Sequence, residues 1–206
     1  MQYIAIEGVI GVGKTSLAKT MASCLPSSEL MLEIVEENPF LQNFYADRAG
    51  NAFQTQIFFL LSRFRQQQRL ETALQQKAVV ISDYLFAKDL IFAQQNLDTD
   101  ELAMHQQLFG LMDEKVPQPG LVIYLRAAVE TLMGRIAQRD RSFERQMDQT
   151  YIESLSNAYE SFFSTFQKTY PGVPVLTIDT DSLNLVSNPR DIAQVRNLIL
   201  ANEVVA

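Results

Sequence analysis

The stretch Gly8-Val9-Ile10-Gly11-Val12-Gly13-Lys14-Thr15 decides the fold of this chain. It matches the phosphate-binding pattern G-x-x-x-x-G-K-[ST] and lies between a short apolar run and a segment with helical periodicity, as that pattern requires. Its glycines let backbone N–H groups turn toward a β-phosphate, and the next helix adds the positive end of its dipole. In such a loop Lys14 bridges phosphates and the Thr15 hydroxyl is a ligand for Mg²⁺. The residues predicted to hold the phosphates are Gly8, Gly11, Val12, Gly13, Lys14, Thr15 and Ser16.

Strand-like and helix-like segments alternate along the whole chain. Short, continuously apolar runs predict buried strands at residues 3–6, 31–35, 79–81, 121–125 and 175–178. Helical spacing predicts helices at residues 15–25, 51–76, 99–115, 129–139, 151–169 and 189–202. This alternation predicts an α/β fold, with helices covering both faces of a parallel sheet. Because no repeat or linker interrupts it, residues 1–206 are expected to form a single domain.

The composition excludes several classes of protein. With 47% hydrophobic and 20% charged residues the chain is globular, and its net charge of −7 argues against a surface for a nucleic-acid polymer. A lone cysteine, Cys24, allows neither an internal disulfide nor a cysteine metal cluster, which predicts a reducing, cytoplasmic compartment. No apolar run approaches the roughly 20 residues of a membrane-spanning helix, so no membrane partner is expected.

Carboxylates follow two of the predicted strands, at the edge where open α/β sheets build their sites. Asp83 follows the run at 79–81, and Glu36-Glu37 follows the run at 31–35. The first either reaches Mg²⁺ beside the phosphate loop or caps the next turn. One of the glutamates is a candidate general base that takes the proton of an acceptor hydroxyl, although paired glutamates before Asn-Pro are also common in exposed loops.

Four of the eleven arginines lie within residues 135–145. Arg135 and Arg139 share one helical face, and Arg141 follows where Asp140 and Ser142 weaken helix propensity. A mobile lid of this kind brings arginines over a transferring phosphoryl group and excludes water. The alternative is a surface helix whose arginines pair with neighbouring carboxylates.

Two further features have structural interpretations. The lone His105 has no partner at metal-ligand spacing and is assigned a structural or surface role. The segments around Phe58–Leu61 and Leu108–Met112 are more apolar than one covering face requires, which indicates core packing or a helix–helix contact in a homodimer.

In order and spacing, these motifs resemble those of the deoxyribonucleoside kinases, most closely the bacterial deoxyadenosine/deoxyguanosine branch. The resemblance adds Gln56, seven residues before Arg63, to the phosphate loop, the two strand-end carboxylates and the arginine lid. It implies a P-loop kinase with three αβα layers, a five-stranded parallel sheet of order 2-3-1-4-5, and a helical lid. It also implies transfer of the γ-phosphate of ATP, with Mg²⁺, to the 5′-hydroxyl of a purine deoxyribonucleoside for nucleotide salvage, and a homodimer.

The resemblance also implies roles for individual residues. Glu36, or Glu37 beside it, is the base at the 5′-hydroxyl, while Arg139 and Arg141 act on the phosphoryl group together with Lys14 and Asp83. Tyr45 and Glu144 contact the sugar 3′-hydroxyl. The predicted contacts to the base are Gln56, Arg63 and Asp89, and the donor nucleotide is predicted to meet Arg135, Arg139 and the loop at Asp181.

In one place the chain departs from the family pattern. The family has an acidic residue followed by arginine and serine at the third strand end, whereas this chain has Asp83-Tyr84-Leu85. In the family that arginine lies near the acceptor 5′-oxygen, so its absence leaves three alternatives for neutralising the acceptor end. A lid arginine replaces it, Lys88 replaces it, or Asp83 together with magnesium is enough. Two other functions remain open at this point: a thymidylate-type nucleoside monophosphate kinase, and a regulatory module that binds ATP without turnover.

Overall fold

The structure, a computed structural model, describes residues 3–25, 27–76, 79–145 and 147–203, except the side chains of residues 202 and 203. Its strands are β1 (Tyr3–Gly8), β2 (Ser28–Met31), β3 (Val79–Ser82), β4 (Leu121–Arg126) and β5 (Val175–Asp179). They form a parallel sheet of order β2-β3-β1-β4-β5, which confirms the predicted order. The carboxyl ends of these strands therefore meet at one edge, where the predicted site residues lie.

Helices surround this sheet. They are α1 (Lys14–Cys24), α2 (Leu41–Ala46), α3 (Arg48–Gln75), α4 (Lys88–Asn96), α5 (Thr99–Asp113), α6 (Val129–Arg139), α7 (Gln149–Thr169) and α8 (Pro189–Glu203), with a 3₁₀ turn at Ser142–Glu144. The predicted helices are all present to within a few residues. The helices α2 and α4 were not predicted, because segments of six and nine residues show too little periodicity. No helix in the described part of the chain is long and apolar enough to cross a membrane.

The predicted position of the second strand is wrong. The sequence predicts residues 31–35, but β2 is Ser28–Met31, paired in register with β3 from Val79 to Ser82. Pairing stops where β3 ends, and the Asp83 N–H then donates to the Met31 carbonyl at 3.2 Å. The apolar character continues past Met31 because Leu32 and Val35 still pack against the core outside the sheet. Glu36 and Glu37 consequently lie in a turn beyond the strand and not at its end.

The central strand β1 is buried on both faces, as the continuous apolar run predicts. Ile4 and Ile6 belong to the core cluster that includes Leu17 of α1, whereas Tyr3 and Ala5 point into the cluster on the opposite face. Each fully buried aliphatic side chain contributes about 1.5–3 kcal/mol. The core on both faces thus fixes the strand that leads into the phosphate loop.

Candidate active site

The phosphate loop connects β1 to α1 in a conformation that needs glycine. Gly8 has φ 150°, and a Cβ there would lie 2.2 Å from the Leu125 carbonyl oxygen of the neighbouring strand. Gly11 has φ 87°, and its Cβ would lie 2.9 Å from both the Leu132 carbonyl oxygen and the Ile136 side chain of α6. Close contact with β4 and α6 therefore holds the loop in shape, and only glycine permits it.

Lys14 is turned back onto its own loop. Its Nζ donates to the carbonyl oxygens of Gly8 at 2.6 Å and Val9 at 3.2 Å. Burial, aided by the positive charge of Lys88, lowers the pKa of Lys14 to about 8. The ammonium is thus poorly solvated, and an anionic phosphate is the partner that would most stabilise it.

Thr15 and Asp83 meet across the edge of the sheet. The Thr15 hydroxyl donates to Asp83 Oδ2 at 2.5 Å, and Oδ1 of the same carboxylate accepts from the Glu33 backbone N–H at 2.7 Å. Burial raises the pKa of Asp83 despite these bonds. Hydroxyl and carboxylate oxygens are hard ligands that suit Mg²⁺, which takes few protein ligands and completes its shell with phosphates and water. These two residues therefore fit the ion, although no group of three or more His, Cys, Asp or Glu in the described part is placed to hold a metal unaided.

Glu33 is a site residue that sequence reasoning missed. Its side chain is 10% exposed, and its carboxylate accepts from Arg63 Nε at 2.9 Å and from Lys88 Nζ at 2.7 Å. These two cations hold the pKa of Glu33 well below its usual range, against the effect of burial. A glutamate inside a run predicted to be a buried strand was the signal in the sequence, because a buried carboxylate requires charged or hydrogen-bonding partners.

Two of the three predicted base-contacting residues, Arg63 and Asp89, come together next to Glu33, and the third, Gln56, lies on the same helix as Arg63. Gln56 and Arg63 lie on one face of α3, and Arg63 Nη1 donates to Asp89 Oδ1 of α4 at 2.6 Å. The guanidinium carbon also lies 4.9 Å from the centre of the Phe59 ring. Gln56 and Asp89 are both buried, and within the described part Gln56 Oε1 and Asp89 Oδ2 have no hydrogen-bond partner. Unpaired polar atoms are thus buried in this region, where the Arg63 guanidinium also lies against an aromatic ring.

The candidate general base, in contrast, is exposed to solvent. The Glu36 side chain is 76% exposed, and its Oε1 lies 4.0 Å from Arg141 Nη2 of the predicted lid. Glu37 is also exposed. The structure therefore brings Glu36 to the lid, whereas it gives Glu37 no ion pair within the described residues. A carboxylate that is open to solvent and to the lid can be reached by an acceptor hydroxyl.

The lid contains a tight ion pair. Arg139 Nη2 donates to both carboxylate oxygens of Glu144, at 2.5 and 2.6 Å, and Glu144 is buried. Tyr45 of α2 stacks on Phe143 at 6.3 Å, and burial, with the nearby Tyr151 and Glu144, raises its pKa well above the usual range. The two residues predicted to contact the sugar hydroxyl thus lie close together, Tyr45 on α2 and Glu144 in the 3₁₀ turn of the predicted lid.

The other arginines of the predicted lid, Arg135 and Arg145, have different hydrogen-bond partners. The Arg135 guanidinium donates to Thr180 and to the Leu183 carbonyl oxygen at 2.9 Å, so it binds the loop after β5. Asp181 of that loop accepts from the Ala128 N–H at 2.8 Å, which ties the loop to the start of α6. Arg145 pairs with Asp140 on the exposed surface, as the surface-helix interpretation expects for that residue.

Glu7 is a second buried carboxylate that the sequence analysis passed over. It is fully buried at the end of β1, and it accepts from the N–H groups of Gly8 and Leu85, both at 2.8 Å. The Tyr159 hydroxyl of α7 donates to it at 3.0 Å. Glu7 therefore links the phosphate loop to the segment after β3 and to α7.

The position that departs from the family pattern is occupied by a core residue. Tyr84 is fully buried, and its hydroxyl accepts from Gln67 at 3.3 Å and lies 3.6 Å from Met31 Sδ, away from the phosphate loop. Lys88 of α4 instead brings a cation to Glu33, close enough to Lys14 to lower its pKa. The geometry thus favours Lys88 as the cation on the acceptor side.

Comparison with known proteins agrees with this geometry. The family model described as deoxynucleoside kinase matches residues 4–206. The chain is 37% identical to a deoxyguanosine kinase of Bacillus subtilis (strain 168), over 96% of this chain and 98% of that protein. It is 31% identical to a deoxyadenosine/deoxycytidine kinase of the same organism, over 93% and 88% of the two chains. A solved structure of deoxyadenosine kinase from M. mycoides with bound dATP superposes with a TM-score of 0.81 at 27% identity, covering 97% and 99%.

Proposed function

Because the chain belongs to the deoxynucleoside kinase family, we propose that it transfers the γ-phosphate of ATP to the 5′-hydroxyl of a purine deoxyribonucleoside. Mg²⁺ is the proposed metal, and the product is a deoxynucleoside 5′-monophosphate for salvage. Membership of the family shows that the enzyme is a kinase. ATP as the donor, Mg²⁺ as the metal and a purine as the preferred base are proposed in addition.

The pairing of the buried cations is the observation that most favours an acceptor without a phosphate group. The buried cations of the acceptor side, Arg63 and Lys88, are already paired with Glu33 and, for Arg63, with Asp89. A monophosphate acceptor needs cations that are free to bind its phosphate. The paired charges therefore favour a nucleoside over a nucleoside monophosphate, and the family match favours it as well.

The site residues divide the proposed reaction among them. Lys14 and the loop N–H groups hold the donor phosphates, while Thr15 and Asp83 are placed to hold Mg²⁺, which would neutralise charge on the phosphates. Glu36 takes the proton of the 5′-hydroxyl as the new P–O bond forms, while the bond from the γ-phosphorus to the β,γ-bridging oxygen breaks and ADP leaves. Arg141 lies beside Glu36, so a closing lid places its charge near the transferring group.

A purine is proposed because of the relatives, and the candidate contacts to the base are compatible with it. The Gln56 amide carries both a donor and an acceptor, and Asp89 is a second buried candidate for a contact to the base. The relatives named above act on deoxyguanosine, deoxyadenosine and deoxycytidine. This supports a purine substrate and leaves the pyrimidine to be tested directly.

We also propose that the protein is a homodimer joined through α3 and α5. These helices carry large apolar side chains that are exposed in the single chain: Leu61 at 46%, Met104 at 49%, Leu108 at 39% and Leu111 at 64%. Changing Met104 and Leu111 together to glutamate should yield a monomer by sedimentation velocity. A wild-type protein that sediments as a monomer would contradict this part of the proposal.

The function is tested by coupled ATP consumption with Mg²⁺ and a panel of acceptors: deoxyadenosine, deoxyguanosine, deoxycytidine, thymidine and their monophosphates. We expect turnover with a purine deoxyribonucleoside. Turnover with monophosphates alone would show a thymidylate-type enzyme. ATP binding without turnover would show a regulatory module.

A further inference from the structure

Glu7 is a fully buried carboxylate directly before the phosphate loop, and the proposed reaction assigns it no role. Its hydrogen-bond donors are neutral: the N–H groups of Gly8 and Leu85 and the hydroxyl of Tyr159. None of the ion pairs among the described residues includes it. Burying a carboxylate without a cation is costly, so the groups that Glu7 holds indicate what the fold must keep in place.

The two oxygens of Glu7 hold different parts of the site. Oε1 accepts from the Gly8 N–H and Oε2 from the Leu85 N–H, both at 2.8 Å. Gly8 begins the phosphate loop, whereas Leu85 lies in the segment between β3 and α4. That segment starts with Asp83 of the proposed metal site and leads to Lys88, the cation favoured on the acceptor side. One carboxylate thus joins the backbone of the donor side to the backbone of the acceptor side.

Gly8 is held at both of its polar groups. Its N–H donates to Glu7, and its carbonyl oxygen accepts from Lys14 Nζ at 2.6 Å. It also lies against β4, since a Cβ on Gly8 would be 2.2 Å from the Leu125 carbonyl oxygen. If Lys14 leaves the carbonyl to bind a phosphate, the bond to Glu7 still holds Gly8 in place.

An ionised carboxylate offers an acceptor oxygen to each of the two N–H groups. Both donors belong to the backbone, so neither can turn to become an acceptor. A glutamine at this position has one acceptor oxygen and one NH₂, and one N–H would face a donor whichever way the amide lies. The Tyr159 hydroxyl, which shares Oε1 with Gly8 at 3.0 Å, is free to rotate instead. The carboxylate is thus suited to holding two backbone segments at one separation.

We propose that Glu7 is a positioning residue for phosphoryl transfer: by holding Gly8 and Leu85 it sets the separation of the phosphate loop from the segment between β3 and α4. The proposal rests on the proposed nucleoside kinase function and adds to it a residue that touches neither substrate. The donor phosphates and the nucleoside have contacts of their own, so each still binds when this separation changes. Transfer depends on the distance between the attacking oxygen and the phosphorus, and a shift of about 1 Å costs about 10²-fold in rate.

Glu7→Gln tests the proposal because it keeps the size of the side chain and removes one acceptor. We would measure kcat, both KM values and the single-turnover rate well below the unfolding midpoint, with whichever of deoxyadenosine and deoxyguanosine the wild-type protein phosphorylates. The single-turnover rate ensures that slow product release does not hide the effect. We expect this rate and kcat to fall by about 10- to 10²-fold, with each KM changed by less than about threefold. A loss confined to KM for ATP would limit Glu7 to the shape of the loop and overturn the proposal.

Tyr159→Phe is the control that separates positioning from stability. It removes the third donor to Glu7 and leaves both N–H bonds, so it should lower the unfolding midpoint and keep the transfer rate within about twofold. A folded Glu7→Gln enzyme that transfers at the wild-type rate would show that Glu7 acts through stability alone. An equal loss of rate in both variants would show that the two N–H bonds are not what matters. Either result overturns the proposal.

Glu7→Asp provides the test if Glu7→Gln does not fold. It keeps the charge and both acceptor oxygens but draws them back by one methylene, so it cannot hold both N–H groups at 2.8 Å. We expect the transfer rate to fall by about tenfold with little change in either KM. A wild-type rate in Glu7→Asp, or failure of both variants to fold, would overturn the proposal. If the wild-type protein phosphorylates no nucleoside, the proposed function fails, whereas an active wild type with unaffected variants leaves that function standing and rejects the role of Glu7 alone.

Discussion

Thr15 and Asp83 are 68 positions apart in the chain, yet the Thr15 hydroxyl donates to the Asp83 carboxylate at 2.5 Å. The bond joins the first turn of α1 to the end of β3, because β1 and β3 are neighbours in the sheet. The same carboxylate accepts from the Glu33 N–H, so it also connects the phosphate loop to the charged cluster of Glu33, Arg63 and Lys88. The phosphate loop and the charged cluster are thus joined through the oxygen atoms of Thr15 and Asp83.

Replacing Asp83 tests whether its carboxylate contributes to the proposed metal site. Asp83→Asn removes the negative charge while keeping the shape, and we expect kcat to fall by about 10²-fold with folding intact. The measurement is steady-state kinetics at saturating Mg²⁺, beside a thermal unfolding curve. Glu71→Gln, on the exposed side of α3, is the matched loss of one charge and should leave kcat unchanged. An Asp83→Asn enzyme as active as Glu71→Gln would remove Asp83 from the metal site.

The two adjacent glutamates are separated by parallel substitutions. Glu36→Gln should lower kcat by about 10²- to 10⁴-fold and spare ATP binding, because an amide cannot take the proton of the hydroxyl. Glu37→Gln is its control, with the same change one residue along the turn. If Glu37→Gln loses the activity and Glu36→Gln keeps it, the base is Glu37.

A second pair of substitutions, at Lys88 and Arg141, identifies the cation that acts on the acceptor side. Lys88→Gln removes the charge that pairs with Glu33 Oε2 at 2.7 Å, and we expect kcat/KM for the nucleoside to fall by at least about tenfold. Arg141→Gln removes the lid charge and should lower kcat more than it raises KM. A Lys88→Gln enzyme with wild-type kinetics, beside an impaired Arg141→Gln, would assign the acceptor role to the lid.

The buried imidazole predicts a pH dependence of stability. The pKa of His105 is lowered from 6.5 to about 4 in the folded state, so between these values the unfolded chain binds the proton and the folded chain does not. The free energy of unfolding should therefore fall as pH falls through this window. Asp89, whose pKa is raised, contributes in the opposite direction. In His105→Gln, urea unfolding should show a slope against pH that is smaller by up to about one proton. An identical slope in wild type and variant would contradict the buried, neutral state of His105.

The sequence predicts the framework of the site better than its interior. Continuous apolar runs identify buried strands because both faces of β1 carry core residues, and the glycines of the loop are required by close contacts with β4 and α6. The end of β2 could not be predicted, because it is set by the length of its partner β3 and not by its own hydrophobicity.

The charged interior was missed for a related reason. Glu7 and Glu33 are separated in sequence from most of the groups that surround them, so no local pattern shows their burial, whereas the structure gives His105 the buried one of its two predicted roles. Glu33 meets Arg63 and Lys88 only when α3 and α4 pack beside the end of β2. Such residues become visible only through tertiary contacts.

The central claim is the transfer of a phosphoryl group to a 5′-hydroxyl. Its most direct test is to incubate the protein with γ-labelled ATP, Mg²⁺ and either 2′-deoxyadenosine or 2′-deoxyguanosine, and to identify the labelled product by chromatography. We expect label in a deoxynucleoside 5′-monophosphate with at least one of them, and none with the Lys14→Ala variant or with 2′,5′-dideoxyadenosine, which lacks the accepting hydroxyl. Absence of a labelled monophosphate from both nucleosides, with the folded wild-type protein, would contradict the account.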